Sequence, residues 1–375
     1  MKKYGLIISV AAAVLFLLSW ITPVCDLYAD TVYALISDGL GFLTGNLPVN
    51  VGECLMFLAF PVAAAAVLLP VSLIFLHKKT GYKKFVFFYL RALLCALLTL
   101  LLIYELNWWL PLRSRLMGGK IMPAESFTVD EIEEVRNHIV KSINDVALQC
   151  PRDENGHLIY MDGETMRREI SEAMHRNAGV FGRLGGYYPR IKEAYCSDVL
   201  DWMDIGGYTY PYTMELTCNR YITKLYYPAL FTHESAHHQG YYRENEANFA
   251  ELLVAEQSDE PRLRYAAYLD MYRYVNLAYM MALDQSDPET AMVRYKEQIR
   301  ISEQVWRDEV EAMEEAEGRY EEDPHPLESV SETATEISET GWETQGQLLG
   351  ADGYDGVVLL ILSYYRENGI AGEEP

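Results

Sequence analysis

Residues 228–249 read PALFTHESAHHQGYYRENEANF, and the fold follows from what this stretch can do. Pro228 suits the first turn of a helix, where its missing N–H costs nothing, and Gly240 suits the end of one. A helix over Pro228–Gln239 puts His233 and His237 one turn apart on the same face, so two imidazoles can converge on one ion. Glu234 follows the first histidine and can lean over that ion without binding it. This is the His-Glu-x-x-His arrangement, two zinc ligands plus a carboxylate general base. Leu230, Phe231 and Thr232 are uncharged, as a buried helix requires. Gly240 permits a left-handed turn that folds the chain back toward the metal. A catalytic zinc takes three protein ligands and leaves one position open. Glu244 is the expected third ligand, with Glu246 as the alternative. Asn248, one turn past Glu244, is placed to accept the free ring N–H of a ligating histidine, which favours Glu244. His238 reads as a surface bystander. The cofactor expected is one Zn²⁺ ion. The competing reading makes Glu244 and Glu246 ordinary first-turn acids complementing a helix dipole, and it leaves Glu234 and Gly240 without a reason.

The chemistry this pattern points to is peptide hydrolysis by an activated water, with Glu234 moving the proton. A non-catalytic zinc-binding sensor or assembly protein is the alternative, but a structural site needs a closed ligand shell and no base. A third class, a metal-free membrane scaffold, is compatible with the acidic surface. Just upstream, residues 207–221 read GYTYPYTMELTCNRY, a strand composition. Pro211 argues for an edge strand over Tyr208–Asn219, to which an extended peptide could add by strand pairing. Glu215 and Asn219 are then candidate substrate contacts. Tyr265, Tyr268, Tyr272 and Tyr279 share one helical face; they are candidate donors to an oxyanion, Tyr268 foremost, or core tyrosines with satisfied hydroxyls.

Working outward, Phe127–Leu148 has Ile132, Val135, Ile139 and Ile143 at helical spacing. Met166–Gly179 reads as a second helix, and Ala178–Gly207 as irregular. Helices follow over Arg243–Glu256, Arg262–Leu283 and Ala291–Glu317. An acidic, proline-containing linker spans 318–330, and an amphipathic helix closes the chain over Gly356–Asn368.

The first hundred residues have another character. Three stretches, 4–24, 54–76 and 85–104, are long and apolar enough to span a bilayer. Lys2 and Lys3 precede the first; Lys78, Lys79, Lys83 and Lys84 lie between the second and third. The connection from Cys25 to Glu53 has no basic residue and carries Asp26, Asp30, Asp38 and Glu53. The positive-inside rule then puts the amino terminus in the cytoplasm and everything after Glu105 outside. Trp108 and Trp109 suit the outer membrane interface. The domains expected are a membrane region over 1–105, a catalytic domain over 106–317, the linker 318–330, and a segment 331–375 whose helix packs on the domain.

Charge divides the same way. Residues 1–104 hold seven Lys/Arg and four Asp/Glu, and the remainder holds 24 and 50, a balance of −26. So acidic a domain repels nucleic acid phosphates and attracts cations. The partners expected are therefore a peptide or protein substrate and the lipid bilayer, not nucleic acid. Of six cysteines, Cys150, Cys196 and Cys218 lie in the soluble part at spacings that match no zinc motif; one disulfide or none is equally open.

The runs His233–Gly240 and Arg243–Phe249, with Arg264–Leu269 and Gly356–Tyr365, resemble an uncharacterised bacterial family of multi-span membrane proteins, domain of unknown function 3810. More distantly, Glu244-x-x-Ala247-Asn248 resembles the Glu-x-x-Ala-Asp of membrane gluzincin zinc peptidases, in which the first Glu binds zinc. Asn248 and Gln239 depart from that pattern. The resemblance implies a multi-pass protein of the bacterial cell membrane. The fold class expected is mainly α: three transmembrane helices, then a zincin-like α+β metallopeptidase domain with a small sheet, outside the cytoplasm.

Overall fold

A computed structural model describes residues 2–322 and 350–370. The chain is mainly helical, with one small sheet. Helix α1 covers Lys2–Leu18, α2 Thr22–Tyr28 and α3 Ala34–Gly45, the last two joined by a π turn over Ala29–Tyr33. Helix α4 covers Val51–Leu76 and α5 Thr80–Tyr104, which runs through a π turn into the short α6, Leu110–Leu112.

Two helical stretches, Val51–Leu76 and Thr80–Leu112, are each long and apolar enough to cross a membrane. They meet at the lysine-rich turn, so their far ends, Val51 and Tyr104, lie on one side. The expected first span, 4–24, is broken. Helix α1 stops at Leu18, and it passes the same test only together with Thr22–Gly45 across a 113° bend. The side of α1 is set by Gly5 against Cys95 Sγ, Tyr4 bonded to Thr99, and Trp109 donating to Ser19 Oγ at 2.9 Å. Its amino end thus stands beside Cys95, eleven residues past Lys84, or ~16 Å along α5 at 1.5 Å per residue.

The connection Cys25–Glu53 is no loose loop. Its acids clamp it to the rest of the protein: Asp26 to Arg115 and Asp30 to Arg183, each at 2.7 Å. Asp38 accepts from the Tyr187 N–H at 2.8 Å, and Glu53 from those of Tyr195 and Cys196. Acids that read as an orientation signal are also structural staples.

The domain beyond is built from α7 (Val129–Ala147), α8 (Gly163–Asn177), α9 (Ser197–Trp202), α10 (Tyr227–His238), α11 (Glu244–Gln257) and α12 (Pro261–Ser286). Thr128 and Glu131 start α7 with a reciprocal capping box. The expected single helix 291–317 is broken at Gln298–Ser302 into α13 (Ala291–Glu297) and α14 (Glu303–Glu322). Most of the 318–330 linker lies outside the described residues. The last helix, α15, runs Gly350–Asn368. Helix α11 lies at the centre, packed by α8, α10, α12 and α15. Its Phe249, Leu252 and Leu253 are fully buried in the main core. The approach of α15 is close enough that a Cβ on Gly356 would fall 2.9 Å from the Asn245 amide.

The irregular stretch 178–207 holds a strand, β1 (Ile191–Glu193), and α9. The expected strand Tyr208–Asn219 is two strands, β2 (Gly207–Tyr210) and β3 (Glu215–Cys218). The chain reverses between them, with Met214 at φ 55°, so Pro211 sits in the turn rather than inside a strand. The order is β1-β3-β2, β1 parallel and β2 antiparallel to β3, with Tyr208 opposite Thr217. Only β2 is therefore an edge beside α10; β3 is the buried middle strand. All six cysteines are free.

Candidate metal centre

Helix α10 begins at Tyr227 with Pro228 in its first turn and ends where Gly240 adopts φ +86°. Glycine is needed there twice over: the left-handed backbone disfavours any Cβ, and one would meet the Tyr33 ring at 2.8 Å. The turn returns the Tyr241 carbonyl to His237, whose Nδ1 lies 2.8 Å from it. This fixes the ring and aims Nε2 at the start of α11. His233 is fixed alike by Asn248, with Nδ1 at 2.7 Å from Oδ1; Glu251 Oε1 stands 3.6 Å from the same nitrogen. The two rings cross edge to face at 4.6 Å.

Glu244, the first residue of α11, meets both free ring nitrogens: Oε2 is 3.1 Å from His233 Nε2, and Oε1 is 3.7 Å from His237 Nε2. One donor atom from each of these three residues lies within 4.8 Å of the others. Glu244 Oε1 is buried and accepts no hydrogen bond, so a lone pair stands available between two imidazoles. Glu246 points elsewhere. Its carboxylate accepts the Met117 N–H and the Arg243 N–H, and pairs with the Arg243 guanidinium at 3.4 Å.

Glu234 is buried against β2. Thr209 Oγ1 sits 3.0 Å from its carbonyl and 3.1 Å from its Oε2. Gly207 makes room, since a Cβ there would lie 2.9 Å from Glu234 Oε1. Burial, with the nearby Glu244 charge, pushes the Glu234 pKa up to about 7, against the opposing pull of His233. Burial favours loss of the His237 charge and brings its pKa down to about 4. Burial opposes charge on His233 too, but its bonds to Glu244 and Glu251 outweigh that and hold its pKa well above the usual value. Glu244 is driven the other way: burial would raise it, but the bond to His233 and the two imidazoles lower it. Glu244 thus keeps its negative charge at the convergence point.

These side chains line a cavity of about 540 Å³. Its walls are β2, α10, the start of α11, and Asp270, Arg273 and Tyr274 of α12, with Trp108 from the π turn after α5. Three of its acids and amides, Glu244, Asn248 and Glu251, recur on one face of α11 at spacings of four and three. Sequence reasoning used the first two and missed Glu251, although the spacing carried it. Asp270, Arg273 and Tyr274 share the same i, i+3, i+4 signal on α12, but nothing local says that this face turns toward the histidines.

Other expected site residues are used elsewhere. Glu215, the first residue of β3, is fully buried and paired with Lys192. Asn219 bonds to Asp201 and the Ile205 carbonyl. Tyr268 donates to Glu256, Tyr265 to Asp308 and Tyr279 to Glu133. None of these five lines the cavity. His238 is not a surface residue: it is fully buried, with Nδ1 on the Met214 carbonyl and its ring against Gly41 of α3.

The family model described as "Protein of unknown function (DUF3810)" matches residues 28–362. No curated protein and no solved structure matches the chain.

Proposed function

The chain belongs to that family of unknown function, and we propose that it is a membrane-anchored zinc metallopeptidase with a zincin-like, gluzincin-type domain outside the cytoplasm of a bacterial cell. The observation that carries this reading is the convergence of His233, His237 and Glu244 beside the buried, Thr209-held carboxyl group of Glu234. Two imidazoles and one carboxylate are the donor set of an open catalytic zinc site, and the partnerless Glu244 Oε1 fits a cation between the rings. A zinc ion bound there would supply Lewis acidity and acidify water toward neutrality.

The remaining work falls to the chain's own groups. Glu234, buried beside the convergence point and held by Thr209, is placed to take a proton from water and deliver it to the leaving nitrogen. Asn248 and the Tyr241 carbonyl hold the two imidazoles in one tautomer. The free edge of β2 gives an extended peptide a row of backbone groups to pair with. Arg273 and Tyr274 line the wall that α12 contributes and are the candidate donors to an oxyanion. Lys78, Lys79, Lys83 and Lys84 mark the α4–α5 turn as cytoplasmic, which directs the domain outward; of the bent pair only α1 then lies along α5 in the bilayer, because Thr22–Gly45 is tied to the domain.

The test is turnover of a peptide library by purified full-length protein with zinc, compared with Glu234→Gln. The variant should keep its zinc and lose activity by roughly 10²–10⁴-fold, the usual worth of a general base. Equal turnover by the variant would remove Glu234 from its role. A wild type that holds zinc and cuts nothing would favour a sensor instead.

A further inference from the structure

We infer that the substrate is a polypeptide anchored in the same bilayer, cut in the first few residues beyond its membrane span. This deepens the peptidase reading and rests on it.

The first ground is the height of the cavity above the membrane. Trp108 lines the cavity together with His233, Glu234, His237 and Glu244. It lies four residues past Tyr104, the end of α5, or ~6 Å further along at 1.5 Å per residue. A hydrocarbon core of ~30 Å takes about 20 residues, which Phe85–Tyr104 supply, and each headgroup layer adds roughly 5–7 Å. The cavity wall at Trp108 is therefore at headgroup height. Only two ring contacts separate it from the metal ligands: Trp108 to Tyr242 at 4.3 Å, and Tyr242 to His237 at 6.0 Å.

The second ground is the direction of the edge strand. The Tyr210 end of β2 rests on the outer ends of both long apolar helices. A Cβ on Gly52, in the first turn of α4, would meet the Tyr210 ring at 2.6 Å. Asn107, just past α5, donates to the Pro211 carbonyl at 2.8 Å. A peptide paired along four residues of β2 advances ~13 Å at about 3.3 Å per residue, so one of its ends arrives at the bilayer surface.

The third ground is rigidity. Glu215 accepts the Val51 and Gly52 N–H groups at 3.0 and 2.7 Å, and Asn50 donates to Thr217 at 3.1 Å. Buried ties of this kind hold sheet and membrane helices together, so the cavity cannot swing up to receive a bulky soluble protein. The rim residues Met203, Ile205, Ile222 and Leu230 offer an apolar wall suited to the residues that flank a membrane span.

The test uses full-length, zinc-loaded protein in proteoliposomes and two reporters carrying one randomised segment. In one, the segment directly follows a single membrane helix; in the other it is soluble. Cut sites are read by mass spectrometry. The tethered reporter should be cut at least ~10-fold faster, at bonds within about eight residues of its span, a reach set by the strand rise. A stiff 15-residue spacer before the segment should abolish that advantage. Cuts scattered evenly along the segment, or an advantage that survives the spacer, would mean mere co-localisation and would overturn the inference. Equal cutting of both reporters would overturn it as well, leaving the peptidase reading intact. No cutting of either reporter by zinc-loaded wild type would overturn both.

Discussion

Replacing Glu215 by alanine should unfold the junction between sheet and membrane helices rather than weaken peptide binding. Glu215 is fully buried, and its carboxylate meets Lys192 Nζ at 2.5 Å and two N–H groups at the start of α4. Lys192 is itself only 12% exposed, so without its partner its cation loses its counter-charge and keeps only the Thr44 and Val49 carbonyls. Breaking a buried pair from one side costs about 3–5 kcal/mol. The orphaned N–H groups lie at a helix start, where water can recover part of their loss, so ~4 kcal/mol is the expected total. For a cooperative unit of about 200 residues, each kcal/mol moves Tm by ~2–4 °C, which gives a fall of roughly 8–16 °C. Thermal unfolding of the detergent-solubilised protein, followed by circular dichroism, measures it. The double variant Glu215→Leu with Lys192→Met should recover part of the loss, because it leaves no buried charge unpaired. An unchanged Tm in Glu215→Ala, with a raised KM for peptides, would refute the reasoning and make Glu215 a substrate contact after all.

Metal content should separate Glu244 from Glu246. Glu244→Ala, like His233→Ala and His237→Ala, should lose zinc by elemental analysis, whereas Glu246→Ala should keep it and melt earlier, since its carboxylate serves Met117 and Arg243. Asn248→Ala should bind zinc about 10–100-fold more weakly in a competition titration, the usual effect of removing a ligand's hydrogen-bond partner; unchanged affinity would mean that Glu251 alone orients His233. His157 should titrate above 6.5, because Glu311 bonds to it at 2.9 Å and favours its charged form. That pair's contribution is complete below the unfolded value of 6.5 and fades as pH rises through the raised one. Proton NMR of Glu311→Gln should return His157 to the ordinary range.

Local physics made the central features readable before any coordinates. His233 and His237 face one way because a helix repeats every 3.6 residues, and Gly240 bends the chain because only glycine is at ease with that backbone. Glu244 and Asn248 came within reach through the same helical arithmetic. The long apolar runs announced three membrane spans by length and composition alone, and two of them stand as unbroken helices. What sequence could not supply was everything set by contacts between distant segments. Residues 207–221 have the composition of one strand, and only pairing with β1 buried Glu215 in the middle of a sheet. Glu246 was separated from Glu244 by Met117 and Arg243, which no spacing reveals. Tyr268, Tyr265 and Tyr279 of α12 turned to Glu256, Asp308 and Glu133 because those acids arrive from other elements. Asp26, Asp30, Asp38 and Glu53 looked like a charge bias until Arg115, Arg183 and three backbone N–H groups came to meet them. Sequence determined which groups a helix could present and how long each helix could be. Tertiary structure decided their partners, since a buried charge or hydroxyl takes its role from whatever complementary group packing brings within about 3 Å.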